Sequence, residues 1–223
     1  MKTSVCYLAL VLVLAAASGR ADEASARAKL AADHVAFTPE AFLQEVASGN
    51  VEHVKLFLEG GIDPAVKNAQ SQTALWLAVE FKQLGVLQAL LAGGVAPNET
   101  NAPVLAGGKT IVFGAVDTGD AAFVRALVEA GADAKKANDY EMPPLAEAAR
   151  TGNLEMCEIL LKGGADPNAA PAGFPLLFGP VNEDHPEVVK LLLASGARLG
   201  EHKAALLEAA KTPEMRELLE RAE

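Results

Sequence analysis

Only two cysteines, Cys6 and Cys157, occur in 223 residues, too few for a disulfide framework or a cysteine-rich metal site. The four histidines, His34, His53, His185 and His202, share no metal-ligand spacing, and no carboxylate cluster completes a set. Basic residues are also scarce: 19 Lys+Arg against 29 Asp+Glu leave a net charge of -10. Nucleic acid is therefore not an expected partner, since a phosphate-backbone binder needs a cationic surface. Aromatic residues make up 5% of the chain, yet 51% is hydrophobic and 22% charged. That balance excludes wholesale disorder and fits one globular unit or a short repeat array.

The longest apolar run, Val5 to Ala17, has 13 residues, short of the roughly 20 needed for a permanent span. Lys2 precedes it, and small residues follow before Asp22-Glu23. This order predicts a secretory signal over residues 1–21, cleaved after Ala21, with Ala17 and Gly19 as alternative sites. Cys6 opens the apolar run instead of following it, a poor position for a lipid-modified first residue. Loss of Lys2 and Arg20 would leave 17 basic and 29 acidic residues, a net -12. Cys157 would then be a lone thiol, unable to form an intramolecular disulfide. The expected location is outside the cytoplasm: periplasmic in a Gram-negative cell, otherwise secreted.

A short motif built on glycine recurs along the rest of the chain. Its copies are Gly60-Gly61-Ile62-Asp63-Pro64, Gly93-Gly94-Val95-Ala96-Pro97-Asn98, Ala130-Gly131-Ala132-Asp133, Gly163-Gly164-Ala165-Asp166-Pro167-Asn168 and Ser195-Gly196-Ala197. Gly61, Gly94, Gly131, Gly164 and Gly196 are spaced 33, 37, 33 and 32 residues apart, a period that predicts a solenoid. Each follows an apolar pair ending a helix: Phe57-Leu58, Leu90-Leu91, Leu127-Val128, Leu160-Leu161 and Leu192-Leu193. Glycine suits that place because other residues pay roughly 1 kcal/mol or more at positive φ. One turn earlier, Val54, Leu87, Val124, Cys157 and Val189 complete one apolar stripe. Further helices begin at Thr73-Ala74-Leu75-Trp76-Leu77-Ala78, Thr110-Ile111-Val112-Phe113-Gly114-Ala115 and Pro143-Pro144-Leu145-Ala146-Glu147-Ala148.

These units resemble the ankyrin repeat family, whose unit opens Thr-Pro-Leu-His-x-Ala and ends Leu-Leu-x-x-Gly-Ala-Asp. The resemblance covers roughly residues 37 to 223 and implies an all-α, ankyrin-type solenoid of about five to six helix-turn-helix repeats, with hairpin-like loops and a concave face. Units fall at about 37–68, 69–105, 106–137, 138–169, 170–200 and 201–223, the last a C-terminal cap, with residues 22–36 as a helical lead. The motif histidine is replaced by Trp76, Phe113, Ala146 and Leu177, so apolar packing substitutes for its hydrogen bonding. The 37-residue interval adds four residues between Asn98 and Lys109, predicting a longer hairpin. Gly179-Pro180 predicts a kinked or shortened first helix in the fifth unit. At the front, Thr38-Pro39 starts a helix with Phe42, Leu43 and Val46 inward and Glu40, Gln44 and Glu45 in water. At the end, Thr212-Pro213 starts one that packs Met215, Leu218 and Leu219.

No catalytic set can be assembled. Gly108-Lys109-Thr110 imitates the end of a phosphate loop, but Pro103 occupies the position of its first glycine. No cofactor or metal is expected. Cys157 holds the register of Leu87 and Val124, so it reads as a small buried hydrophobe. His53 holds that of Val86, Phe123, Met156 and Val188, a partly buried structural histidine. Asn98-Glu99-Thr100 is an N-glycan acceptor pattern, relevant only in a glycosylating host.

The family resemblance implies recognition through hairpin tips and the exposed side of each first helix. By register this selects Gln70, Gln72, Glu80 and Phe81, then Lys109, Asp117 and Thr118. Tyr140, Met142, Arg150 and Thr151 follow, then Phe174, Asn182 and Glu183. Phe81, Tyr140, Met142 and Phe174 are the expected anchors, since aromatic residues are enriched at binding hot spots; for Phe81 the alternative is that it folds back onto the adjacent unit. The expected function is an exported, monomeric, non-catalytic binding module for an envelope or secreted protein, as accessory or inhibitor. The alternative is an immunity or effector protein that neutralises a toxin or engages a host protein.

Overall fold

The computed structural model describes residues 20–98 and 110–222. Most of the predicted export signal, the long connection with Lys109, and the Glu99 and Thr100 of the acceptor pattern lie outside these. All regular structure among the described residues is helical, with one isolated antiparallel bridge between Lys67 and Thr73. The chain forms two compact units, one reaching Val95 and the other beginning at Ala96.

In the first unit, α1 covers residues 20–32. Then come α2 (Pro39–Ser48), α3 (Val51–Glu59), α4 (Ala74–Glu80) and α5 (Leu84–Ala92). Helix α2 packs on α3 and α4, and α5 on α3 and α4. The second unit contains α6 (Ile111–Asp117), α7 (Ala121–Glu129), α8 (Pro144–Arg150), α9 (Leu154–Lys162), α10 (Phe178–Asn182), α11 (Pro186–Ala194), α12 (Lys203–Ala209) and α13 (Pro213–Arg221). Each helix there packs on its pair-mate and on the corresponding helix of the next pair, as α7 does on α9 and α8 on α10.

Local chemistry sets the helix boundaries. Thr38, Thr73, Thr110 and Thr212 each accept a hydrogen bond from the backbone N–H three residues on, satisfying a donor the first turn leaves orphaned. Gly61, Gly94, Gly131, Gly164 and Gly196 all lie at φ between 79° and 96°, the left-handed region the repeating glycine predicts. In the preceding apolar pairs Phe57, Leu90, Leu127, Leu160 and Leu192 are fully buried, as are Val54, Leu87, Val124, Cys157 and Val189. Leu58, Leu91, Val128, Leu161 and Leu193, one residue further round each helix, are only half-buried. Helix α10 has five residues where α4, α6 and α8 have seven, the shortening expected at Gly179-Pro180. Leu218 is half-buried while Met215 and Leu219 are buried.

Asparagines in the second unit tie one repeat turn to the next. Asn98 Nδ2 donates to the Gly131 carbonyl (2.8 Å) and its Oδ1 accepts from the Asp133 N–H (2.8 Å). Asn168 repeats the arrangement with Gly196 (2.9 Å) and Arg198 (3.0 Å). The acceptor-pattern asparagine is thus a structural clamp, and a glycan on Asn98 would compete with it.

Helix α1 covers the outer side of the first repeat. Ala26 and Leu30 are buried, Arg27 Nε donates to the Gly60 carbonyl (2.8 Å), and its guanidinium lies 4.4 Å from the Phe37 ring centroid. Phe37 in turn stacks on Phe57 at 5.3 Å. Glu45, expected in water, is turned inward to His53, 2.9 Å away. The helical period placed it on the polar side of α2 without showing that a neighbouring helix brings an imidazole there.

Candidate protein-interaction face

Two hairpin tips are built alike. Asn68 Oδ1 accepts from the N–H groups of Gln70 (3.0 Å) and Gln72 (2.9 Å), and Asn138 Oδ1 from those of Tyr140 and Met142 (both 3.0 Å). Each asparagine thus organises its own tip, an Asx-type turn. Ser71 and Glu141 occupy the left-handed position, at φ 62° and 57°. The middle residue of each tip, Gln70 or Tyr140, is pushed into solvent, Tyr140 with 73% of its surface exposed.

In the first unit the tip faces α2 across an open groove of about 570 Å³. Leu43, Ala47, Leu77 and Phe81 supply apolar surface, while Gln44, Asn68, Gln70 and Gln72 supply amides. Gln72 is fixed between Asn68 and Glu80, accepting from one and donating to the other. Phe81, the C-cap residue that follows α4, is 53% exposed. Three expected contact residues, Gln70, Gln72 and Phe81, therefore share one concavity, with Glu80 holding Gln72. Sequence reasoning missed Leu43, Gln44 and Ala47, because the α2–α4 packing that makes them a wall joins segments about 30 residues apart. The exposure of Gln44 was its only signal.

The second unit carries the other expected residues. Phe174 is 61% exposed and meets the Phe178 ring edge-on at 5.8 Å. Met142 is half-buried. Arg150 forms a two-pronged pair with Glu147 (2.9 and 2.6 Å), which raises its pKa further and holds the guanidinium in place at the end of α8. The Thr118 and Thr151 hydroxyls donate to backbone carbonyls of their own helices, making them helix-end caps. Asp117 is exposed, and Asn182 donates to the neighbouring Glu183 carboxylate (3.3 Å). Lys109 lies outside the described residues.

Chemistry elsewhere is sparse. Burial pushes the Cys157 thiol pKa up to about 12, so the nucleophilic thiolate is suppressed. Among the described residues no group of three or more His, Cys, Asp or Glu side chains could hold a metal ion. None of the described helices is long and apolar enough to cross a membrane.

Residues 77–171 match the family model for ankyrin repeats in three copies. Over 128 residues, 57% of this chain, the sequence is 29% identical to an ankyrin repeat protein of fowlpox virus (strain NVSL). It is 31% identical over 149 residues (66% of the chain) to the B-cell lymphoma 3 protein homolog of Mus musculus. Against an ankyrin repeat-containing protein of Treponema pallidum (strain Nichols) it is 28% identical over 160 residues (71% of the chain). The chain spans only 28%, 33% and 41% of these relatives' own lengths. In three dimensions it resembles the crystal structure of the human ASB11 ankyrin repeat domain, with a TM-score of 0.65 and 25% identity over 80% of this chain and 81% of that one. Glycine-stopped helix pairs, the family match and the structural likeness agree: the chain carries ankyrin repeats, which form protein–protein interaction modules.

Proposed function

We propose that this protein is an exported, non-catalytic binding module that uses its hairpin tips and first helices to hold an envelope or secreted protein, as an accessory or an inhibitor. The observation that carries the reading is where large apolar side chains meet solvent. Four are exposed among the described residues: Phe81, Tyr140, Leu154 and Phe174. Three of them stand at a hairpin tip or beside a first helix, on the sides this reading assigns to the partner. Exposed aromatics cost solvation and find compensation in a partner's apolar surface. In the first unit the groove beside Phe81 has room for an inserted side chain, and the free amides of Gln44 and Gln70 are placed to bond the partner's main chain. Export is supported by the order of the N-terminal residues and by the anchors of α1: Ala26, Arg27 and Leu30 all follow Ala21, so removal of residues 1–21 leaves them in place. Affinity capture from envelope extracts tests the reading. Replacing Phe81 and Tyr140 together with Ala should abolish capture while circular dichroism and melting stay near wild type. Undiminished capture by the folded double variant would refute it.

A further inference from the structure

One second-helix register position carries histidine where its counterparts bury apolar side chains. Val86, Phe123, Met156 and Val188 are fully buried, whereas His53 in α3 keeps 18% of its side chain exposed and makes polar contacts to two other segments. Its Nδ1 lies 2.9 Å from Glu45 Oε2 on α2, and its Nε2 lies 3.3 Å from Asp33 Oδ2, just beyond the end of α1. Glu45 is as shielded as the imidazole, while the Asp33 side chain is 58% exposed. Donating to both carboxylates at once requires the doubly protonated ring. Asn50, whose Oδ1 accepts from the His53 N–H (3.2 Å), places its Nδ2 2.8 Å from the same Nδ1 and can donate to it only when the ring is neutral. Loss of the Nδ1 proton therefore exchanges the Glu45 contact for the Asn50 one and leaves Nε2 facing Asp33 without the ring's charge.

We propose that His53 is a pH-sensitive latch that holds α1 against the first repeat, and that loss of its ring proton loosens α1. Among the other ionisable groups on the neighbouring elements, Lys29 stands one turn before Asp33 on α1 and is exposed. On α3, Glu52 pairs with Lys55 at 2.9 Å. On α2, Glu40 points to solvent on the groove side, and α5 carries no titratable side chain at all. His34, next to Asp33, is exposed. On α1, Arg27 is engaged by Gly60, Phe37 and Glu23. Burial pulls the His53 pKa down, but the hydrogen bonds and charges of Glu45 and Asp33 outweigh it and raise the value above 6.5. A raised histidine pKa contributes stability in full below the free value of about 6.5 and loses it as pH climbs through the folded value. Glu45 joins two helices of the same pair, so Asp33 is the contact that couples the ring proton to α1. The contacts of Arg27, Ala26 and Leu30 do not involve the His53 ring, which makes the response a local opening of α1 rather than loss of the unit.

Hydrogen exchange on the full chain tests this, with amides of residues 22–32 followed from about pH 6 to 9, bracketing the free imidazole value, and corrected for intrinsic rates. An NMR titration of the His53 ring in wild type and in Asp33→Asn runs alongside. The opening equilibrium of α1 should rise about tenfold for each pKa unit that Asp33 contributes to His53. His53→Leu, which restores the apolar register, should make protection of α1 independent of pH. A ring that titrates below 6.5, or equal pH dependence of α1 in wild type and His53→Leu, would overturn the proposal. Asp33→Asn decides the same question should the leucine variant misfold, because an unchanged wild-type slope in it contradicts the latch.

Discussion

Replacing Asn168 by alanine isolates the clamp that joins successive repeat turns. The side chain makes two hydrogen bonds, to the Gly196 carbonyl at 2.9 Å and from the Arg198 N–H at 3.0 Å. Both are at the surface, so water replaces each partner in the variant, and no buried group is left unsatisfied. Each bond is then worth the net value of about 0.5–1.5 kcal/mol, toward its lower half, giving a loss of about 1–2 kcal/mol in all. For a compact unit of this size that corresponds to a fall in Tm of roughly 4–8 °C. Urea unfolding followed by circular dichroism should show a lower midpoint with an unchanged slope, since the surface exposed on unfolding is the same. Asn182→Ala removes only a 3.3 Å bond to the adjacent Glu183 and should stay within about 0.5 kcal/mol of wild type. If Asn168→Ala were as silent as Asn182→Ala, the turn-to-turn clamp would contribute nothing and the reasoning would fail.

Two further outcomes follow from local geometry. Gly94→Ala meets no atom within 4 Å of its new Cβ, so it reports the cost of φ +84° alone, about 1–2 kcal/mol. Gly152→Ala also drives its Cβ to 2.6 Å from the His185 ring, which donates to the Arg150 carbonyl at 3.1 Å. Thermal melts should therefore rank Gly152→Ala clearly below Gly94→Ala, and equal stability would contradict the packing. Cys157, with its thiol pKa pushed to about 12 by burial, should resist a water-soluble thiol reagent near pH 8 in native protein and react fully in urea. Fast labelling of the native thiol would show an open site.

The helix-pair fold was legible because its signals are local and chemical. Positive φ demands glycine at Gly61, Gly94, Gly131, Gly164 and Gly196, and a helix start rewards Thr38, Thr73, Thr110 and Thr212 with a bonded N–H. Contact between segments far apart in sequence was less legible. The groove wall on α2 follows from packing of α2 on α4, and helical periodicity carries no information about which helix lies opposite Gln44. Glu45 illustrates the same gap, since only the approach of α3 turns a polar-side carboxylate into the partner of His53. The role of Asn98 and Asn168 has a signal in the sequence, since both follow a Gly-Gly turn and a proline at equal offset, although the acceptor pattern at Asn98 points to modification instead. Tyr140 and Phe174 were legible as misplaced aromatics, whereas the expected contacts Thr118 and Thr151 spend their hydroxyls on their own helix ends.

The central claim concerns which sides of the helix pairs touch the partner. Hydrogen exchange with mass spectrometry, on the chain alone and in complex with a partner captured by it, measures that directly. Protection gained over residues 39–47, 67–81 and 138–151, with α3, α5, α7 and α9 unchanged, is the result the account predicts. Protection confined to those second helices would place the partner on the opposite side and contradict it.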